Sequence, residues 1–123
     1  MLVKITPREL EFLSHRLEVS DAIAETLIDS ELGYSSAVCV AGIADGLLYR
    51  LTKSGVIDCE ALTALERDII TDCFEGSTWF VGITQEARDT SKPQLVSGAR
   101  RTISRLTEKL HGAGLDVPAV PDY

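Results

Sequence analysis

The sequence has little of what metal-binding and disulfide-rich proteins require, with two histidines and three cysteines in 123 residues. The histidines, His15 and His111, lie near opposite ends and lack the one-turn spacing of zinc ligands. The cysteines, Cys39, Cys59 and Cys73, are odd in number and widely spaced, which argues against a disulfide framework. We therefore expect a reducing compartment and neither a metal ion nor another cofactor.

Catalytic signatures and long apolar segments are also missing. No glycine-rich phosphate loop follows a strand pattern, and no nucleophile elbow occurs. The longest run of apolar and small residues, Ala37 to Ala44, is too short to span a membrane. Met1 to Ile5 is too short for the apolar region of a signal peptide, so we expect none. These absences predict a cytoplasmic protein that has no membrane partner and is not an enzyme.

Acidic residues outnumber basic ones, and the formal net charge is -7. Residues 1–33 and 34–75 each carry a net charge of -4, whereas residues 76–123 carry +1. Such a chain should repel nucleic acids and anionic membranes and attract a protein with a basic surface. The alternative is that the acidic charge only maintains solubility.

Apolar residues follow the helical period along most of the chain, which predicts an all-α fold. The expected architecture is a single compact bundle of about five helices. Thr6, Pro7 and Glu9 form a start signal for the first helix. Further helices are predicted from Ser20, from about Ser35 to Ser54, from Cys59 to Glu75, and from Pro93 to Leu110.

Three segments lack a clear helical pattern. Residues 76–90 are compatible with a loop, a strand or a short helix, and the part up to Ile83 favours a loop or extended segment. The residues from Val56 to Asp58 are predicted to form a turn, with Asp58 as the cap of the next helix. The bundle domain should occupy residues 1–114. The segment 115–123 should be an irregular tail docked through Val117 and Val120.

Gly42 and Gly46 lie inside the longest apolar helical pattern, Ala37 to Leu51. Glycine in a helix interior costs about 0.5–1 kcal/mol relative to alanine, so the pair predicts close backbone packing. Because this helix is apolar on nearly all sides, we favour packing within one chain, with this segment as the central helix. A contact between the two chains of a homodimer is the alternative.

Acidic side chains recur one helical turn apart on two predicted helices. Such pairs can hold a hard metal ion, but no Glu-x-x-His motif supplies further ligands, so a solvated acidic face is favoured. Trp79 either fills the bundle or anchors a partner. The candidate partner-binding residues are Glu25, Asp29, Glu66, Asp68, Asp72 and Trp79.

The last predicted helix is basic and carries Arg100, Arg101 and Arg105. Arg101 and Arg105 share a face that could contact phosphates. Since the rest of the chain is acidic, we favour pairing of this basic face with acidic helices of the same chain or of a second copy over contact with nucleic acid.

The segment from Ile5 to Leu13, Ile-Thr-Pro-Arg-Glu-Leu-Glu-Phe-Leu, resembles the opening of LuxR-type helix-turn-helix domains. The resemblance covers about nine residues. It implies that a scaffold helix and a basic recognition helix follow, but the next segment is acidic and then apolar. A capped helix that begins with proline accounts for this resemblance by itself, so we infer no function from it.

Small size, acidity and the lack of catalytic motifs lead to one main hypothesis. The chain is expected to be a non-enzymatic protein that inhibits or regulates a basic partner. Toxin-neutralising immunity proteins and phage-encoded inhibitors belong to this physical class. One alternative is a transcriptional regulator that contacts nucleic acid through the basic last helix. Another is an enzyme or ligand carrier with a pocket lined by Trp79, Cys39 or Tyr49.

Overall fold

A computed structural model describes residues 1–29 and 36–118 of the chain. These residues form six helices and one two-stranded sheet, which confirms the predicted all-α compact bundle. The helices are α1 (Pro7–Leu17), α2 (Ser20–Ile28), α3 (Ala37–Ser54), α4 (Ala64–Glu75), α5 (Trp79–Thr90) and α6 (Gln94–Gly112), and the strands are β1 (Leu2–Lys4) and β2 (Val56–Asp58).

Two of the helices begin at capping boxes. At α1, Thr6 Oγ1 accepts a hydrogen bond from the Glu9 amide at 3.2 Å, and Glu9 Oε1 accepts one from the Thr6 amide at 2.9 Å. Thr63 and Glu66 make the same reciprocal pair of bonds at the start of α4. Because these bonds satisfy amides that lack a partner within the helix, they fix both starting points. The capping box also explains the LuxR-like opening without any link to DNA binding.

The two strands pair antiparallel, with Val3 opposite Ile57 and both side chains buried. Each strand has three residues, which is too short to produce a recognisable alternation of polar and apolar positions. Gly55 ends α3 in the left-handed conformation, with φ of 66°, and its carbonyl accepts a hydrogen bond from the Ile5 amide at 2.8 Å. Glycine adopts this conformation without steric cost, so the chain can turn directly from α3 into β2.

Two predicted boundaries are wrong. Asp58 lies in β2 and caps no helix, and α4 begins at Ala64 rather than at Cys59. The segment 76–83, for which a loop or extended structure was favoured, contains the start of α5 at Trp79. Tertiary packing outweighs the weak helical propensity of this segment, because one side of α5 enters the core. That side consists of Trp79, Phe80, Ile83 and Ala87.

The core surrounds α1, which contacts each of the other five helices. Helix α3 contacts α1, α2 and α4, whereas α5 packs mainly against α6. Residues 115–118 have no regular secondary structure, but Leu115 and Val117 are buried, and His111 Nε2 lies 2.7 Å from the Val117 carbonyl. The predicted docking residue Val120 lies outside the described residues. The largest fully buried side chains include Leu13, Leu17, Ile23, Leu51, Ile69, Ile70, Ile103, Leu106 and Leu110.

Candidate functional site

Among the described residues, three acidic side chains are buried, and each is paired with a basic side chain. Such pairing is required because an isolated buried carboxylate would lose its hydration without compensation. Three basic residues of the chain therefore neutralise its own buried carboxylates. The pairs are Glu9 with Lys109, Glu66 with Arg50, and Asp72 with Arg16.

Arg16 links three helices, because its guanidinium extends from α1 and contacts both α4 and α2. Its Nε donates to Asp72 Oδ2 on α4 at 2.8 Å, and one terminal nitrogen donates to Thr26 Oγ1 on α2 at 3.3 Å. Gly76 borders the same group closely, since a Cβ built at this position would lie 2.9 Å from the guanidinium. Arg16 therefore fixes the relative positions of α1, α2 and the end of α4.

Three of the predicted partner-binding residues are not available at the surface. Glu66 and Asp72 are buried and form the ion pairs described above. Trp79 is also buried, and its ring centroid lies 5.5 Å from that of Phe12 in an edge-to-face arrangement. The prediction that these three contact a partner is wrong. The alternative role of Trp79, filling the bundle, is the one observed.

Two of the three remaining acidic candidates, Glu25 and Asp29, belong to α2 and its C-terminal cap, and Asp21 of the same helix lies in line with them. Asp21, Glu25 and Asp29 follow one another at intervals of one helical turn and are all exposed. None of the three forms an ion pair with another described residue. We refer to these three residues as the α2 acidic face. Asp68, on α4, is half-buried and already engaged in an interaction within the structure.

Three arginines of α6, at positions 100, 101 and 105, are exposed, whereas Lys109 near the end of the helix pairs with Glu9 of α1. The Arg100 guanidinium lies over the Phe80 ring, 5.6 Å from its centroid, and therefore packs on α5. Arg101 and Arg105 form no ion pair with a described residue, so the expected pairing with acidic helices of the same chain is not seen. Pairing of these two arginines with a second copy stays a prediction.

The residues suggested for a ligand pocket do not come together. Trp79 is in the core, whereas Cys39 and Tyr49 are exposed on α3. Burial raises the pKa of the Cys59 and Cys73 thiols, which keeps both protonated and unreactive near neutral pH. Within residues 1–29 and 36–118, no group of three or more histidine, cysteine or acidic side chains is arranged to hold a metal ion.

The side of α3 that faces away from the core mixes exposed apolar, small and charged residues, and the Lys53 ammonium lies over the Tyr49 ring, 5.6 Å from its centroid. Val38 and Tyr49 are 82% and 65% exposed, and Gly42 and Gly46 lie between them on the same side of the helix. A Cβ built at either glycine has no described atom within 4 Å outside the local helix backbone. The interpretation that these glycines permit close packing within one chain is therefore wrong. We call this side the outer face of α3, and it consists of Val38, Cys39, Gly42, Gly46, Tyr49 and Lys53.

Replacing Gly46 with alanine should stabilise the folded chain by about 0.5–1 kcal/mol. The methyl group meets no described neighbour, and alanine loses less backbone entropy on folding than glycine. Urea denaturation at low protein concentration measures the change. Gly55→Ala is the control and should destabilise, because its φ of 66° disfavours any side chain. A destabilised Gly46→Ala variant would show that the glycine is packed after all.

No helix within the described part of the chain is both long and apolar enough to cross a membrane. Comparison of the chain with models of known families, with curated proteins and with solved structures gives no match. The proposals that follow therefore depend on the arrangement of charged and apolar surfaces alone.

Proposed function

We propose that the chain is a non-enzymatic protein-binding domain whose α2 acidic face recognises a basic surface on a partner protein. The observation that carries the proposal is the contrast between two groups of acidic residues. The buried carboxylates are neutralised by the chain's own arginines and lysine, whereas the α2 acidic face is exposed and has no ion pair to a described residue. Like charges one turn apart destabilise a helix by about 0.2–0.5 kcal/mol per pair, a cost that recognition would offset.

The proposal extends to the biological role and compartment. A compact acidic domain that covers a basic functional surface acts as an inhibitor or regulator, as immunity proteins and phage-encoded inhibitors do. Complementary charge would also accelerate association with the target. Cys39, Cys59 and Cys73 are all free thiols, which is compatible with the reducing cytoplasm.

The test compares two variants with the same change in net charge. Glu25→Lys/Asp29→Lys reverses two charges on the α2 acidic face, and Glu86→Lys/Asp89→Lys reverses two exposed charges on α5. Each variant is immobilised and incubated with lysate of the native host at ~50 and ~500 mM salt, and retained proteins are identified by mass spectrometry. We expect a stoichiometric basic protein that wild type and the α5 variant retain at low salt and the α2 variant does not.

The rate at which the purified partner binds then gives the size of the effect on association. The association rate should fall at least about tenfold for the α2 variant and should decrease with salt for wild type. Equal binding by both variants, or no stoichiometric partner for wild type, would contradict the proposal.

The exposed pair Arg101 and Arg105 supports a second candidate, a regulator that contacts nucleic acid through α6. The two guanidiniums lie one turn apart and have no ion pair to a described residue, so they are available to phosphates. A gel-shift assay with duplex DNA at ~50 mM salt, using wild type and Arg101→Ala/Arg105→Ala, tests it. Absence of a shift for wild type removes this candidate.

A further inference from the structure

Helices α5 and α6 form an open groove that combines apolar side chains with two arginines. The groove has a volume of about 410 Å³, which lies within the range of small-molecule sites, about 300–1,000 Å³. Val81 is 56% exposed and Val96 is half-buried, so apolar surface remains accessible in the groove. Its lining consists of Phe80, Val81, Thr84, Arg88, Val96 and Arg100.

All the charge that lines this groove is positive, although the whole chain carries a net charge of -7. Glu86 and Asp89, the acidic neighbours of Arg88 on α5, do not line it. Arg88 forms no ion pair with a described residue. Arg100 lies over the Phe80 ring and takes part in a further interaction. Arg88 is therefore the cation of the groove that a bound anion would neutralise.

Arg88 lies at one end of the groove, close to the start of α6, because only residues 91–93 separate the two helices. From Phe80 to Arg88 the groove follows α5 for eight residues, about 12 Å. The first turn of α6, which includes Val96, has no side-chain cap, so the positive end of the α6 dipole favours an anion there. The negative end of α5 opposes this effect, and the charge of Arg88 therefore decides.

The polar groups of the groove select the head group of a ligand. Thr84 Oγ1 donates its hydrogen to the Phe80 carbonyl at 2.9 Å, so the binding of an anion falls to the arginines. A guanidinium forms two parallel hydrogen bonds with a carboxylate. Since Arg88 supplies one positive charge without an ion pair to a described residue, a singly charged carboxylate matches the groove better than a phosphate monoester, which carries about -1.5 to -2 at pH 7.

We propose that the groove between α5 and α6 binds a small organic carboxylate with an apolar body, the carboxylate on Arg88 and the body along Val96 and Val81 toward Phe80. Both parts are needed, because an exposed ion pair contributes little without the burial of apolar surface beside it. An extended acyl chain of medium length, such as that of decanoate, is similar in length to the groove. The site is separate from the α2 acidic face and independent of the proposed recognition of a basic partner.

The test titrates the isotopically labelled full chain with sodium decanoate and follows backbone amide shifts by NMR. We expect the amides of Thr84, Arg88 and Val96 to shift and those of α2 to stay, with a dissociation constant below ~1 mM. Arg88→Gln removes the cation and should weaken binding at least about tenfold. Arg101→Gln removes the same charge from an exposed position of α6 outside the lining and should change binding by less than about twofold.

Val81→Asp is the second variant, should the spectrum of Arg88→Gln without ligand show a perturbed fold. It keeps both arginines, places a negative charge at a position 56% exposed, and should also weaken binding at least about tenfold. Further probes separate the head from the body, since acetate lacks the body and decyltrimethylammonium reverses the charge of the head. Each should bind at least about tenfold more weakly than decanoate, and decyl phosphate should bind no more tightly than decanoate.

If ~1 mM decanoate shifts no amide of the groove, the proposal is overturned. Unchanged binding in Arg88→Gln has the same meaning, as does an equal loss in Arg88→Gln and Arg101→Gln, which would indicate an effect of net charge alone. Equal binding of decyltrimethylammonium would reject a carboxylate site, and tighter binding of decyl phosphate would reject a carboxylate as the ligand. The Glu25→Lys/Asp29→Lys variant should bind decanoate as wild type does, so failure of the α2 proposal and failure of this one give different results.

Discussion

Replacing Arg16 with methionine should lower the free energy of unfolding by about 3 kcal/mol. Methionine retains most of the apolar stem but removes the donor 2.8 Å from Asp72, whose side chain is only 4% exposed. The carboxylate then stays buried without its counter-charge, and its desolvation is no longer offset. The contact to Thr26 on α2 is lost at the same time. Urea denaturation followed by circular dichroism measures the change.

Two further variants identify the cause of this loss. Arg101→Met removes an exposed arginine that has no ion pair to a described residue and should change stability by less than about 0.5 kcal/mol. Arg16→Met/Asp72→Leu removes both charges, so it should recover much of the stability lost in the single variant. If the double variant is less stable than Arg16→Met alone, the unpaired carboxylate is not the source of the instability.

Replacing Phe12 with alanine should destabilise the fold by about 3–5 kcal/mol. Phe12 is 3% exposed, and its ring meets Phe74 at 5.2 Å and Trp79 at 5.5 Å between centroids, edge-to-face in both cases. The substitution leaves a cavity between α1, α4 and α5 and removes both aromatic contacts. A domain of this size is stabilised by about 5–15 kcal/mol in total, so the variant should be marginal.

Trp79 provides the measurement, because it is the single tryptophan of the chain and adjoins the expected cavity. Its fluorescence should follow unfolding at a lower urea concentration in Phe12→Ala than in wild type. Val81→Ala, at a position 56% exposed, is the control and should change stability by less than about 0.5 kcal/mol. A loss below about 1 kcal/mol for Phe12→Ala would mean that the surrounding helices close the cavity.

Local signals in the sequence were sufficient to locate some helix ends but not others. The start of α1 was predicted because Thr6 and Glu9 interact within a single turn, and no distant residue is involved. The start of α5 was missed because it depends on distant contacts. Trp79 joins the helix while its ring packs on α1 and its Nε1 donates to Glu11 Oε1 at 3.2 Å. Such contacts are not visible in a local pattern.

The candidate surface residues show even more clearly that a local sequence pattern does not reveal distant contacts. Glu25 and Asp72 are both acidic residues of helices, yet Glu25 is exposed and Asp72 is buried against Arg16. Arg16 and Asp72 are 56 positions apart along the chain, so sequence spacing alone could not reveal their contact. The surroundings of Gly46 are predicted wrongly for a related reason. Because α3 is mostly apolar, its sequence does not show which side of the helix faces the core.

The close approach of Gly76 to the Arg16 guanidinium has an evolutionary consequence. An alanine at position 76 would displace the Arg16 guanidinium and weaken its hydrogen bonds to Asp72 and Thr26, so it should be better tolerated where position 16 is not arginine. Homologous chains should therefore show covariation between positions 16 and 76, with glycine retained wherever arginine is retained. Loss of glycine at position 76 while arginine remains at position 16 would be selected against through folding, whatever the protein binds.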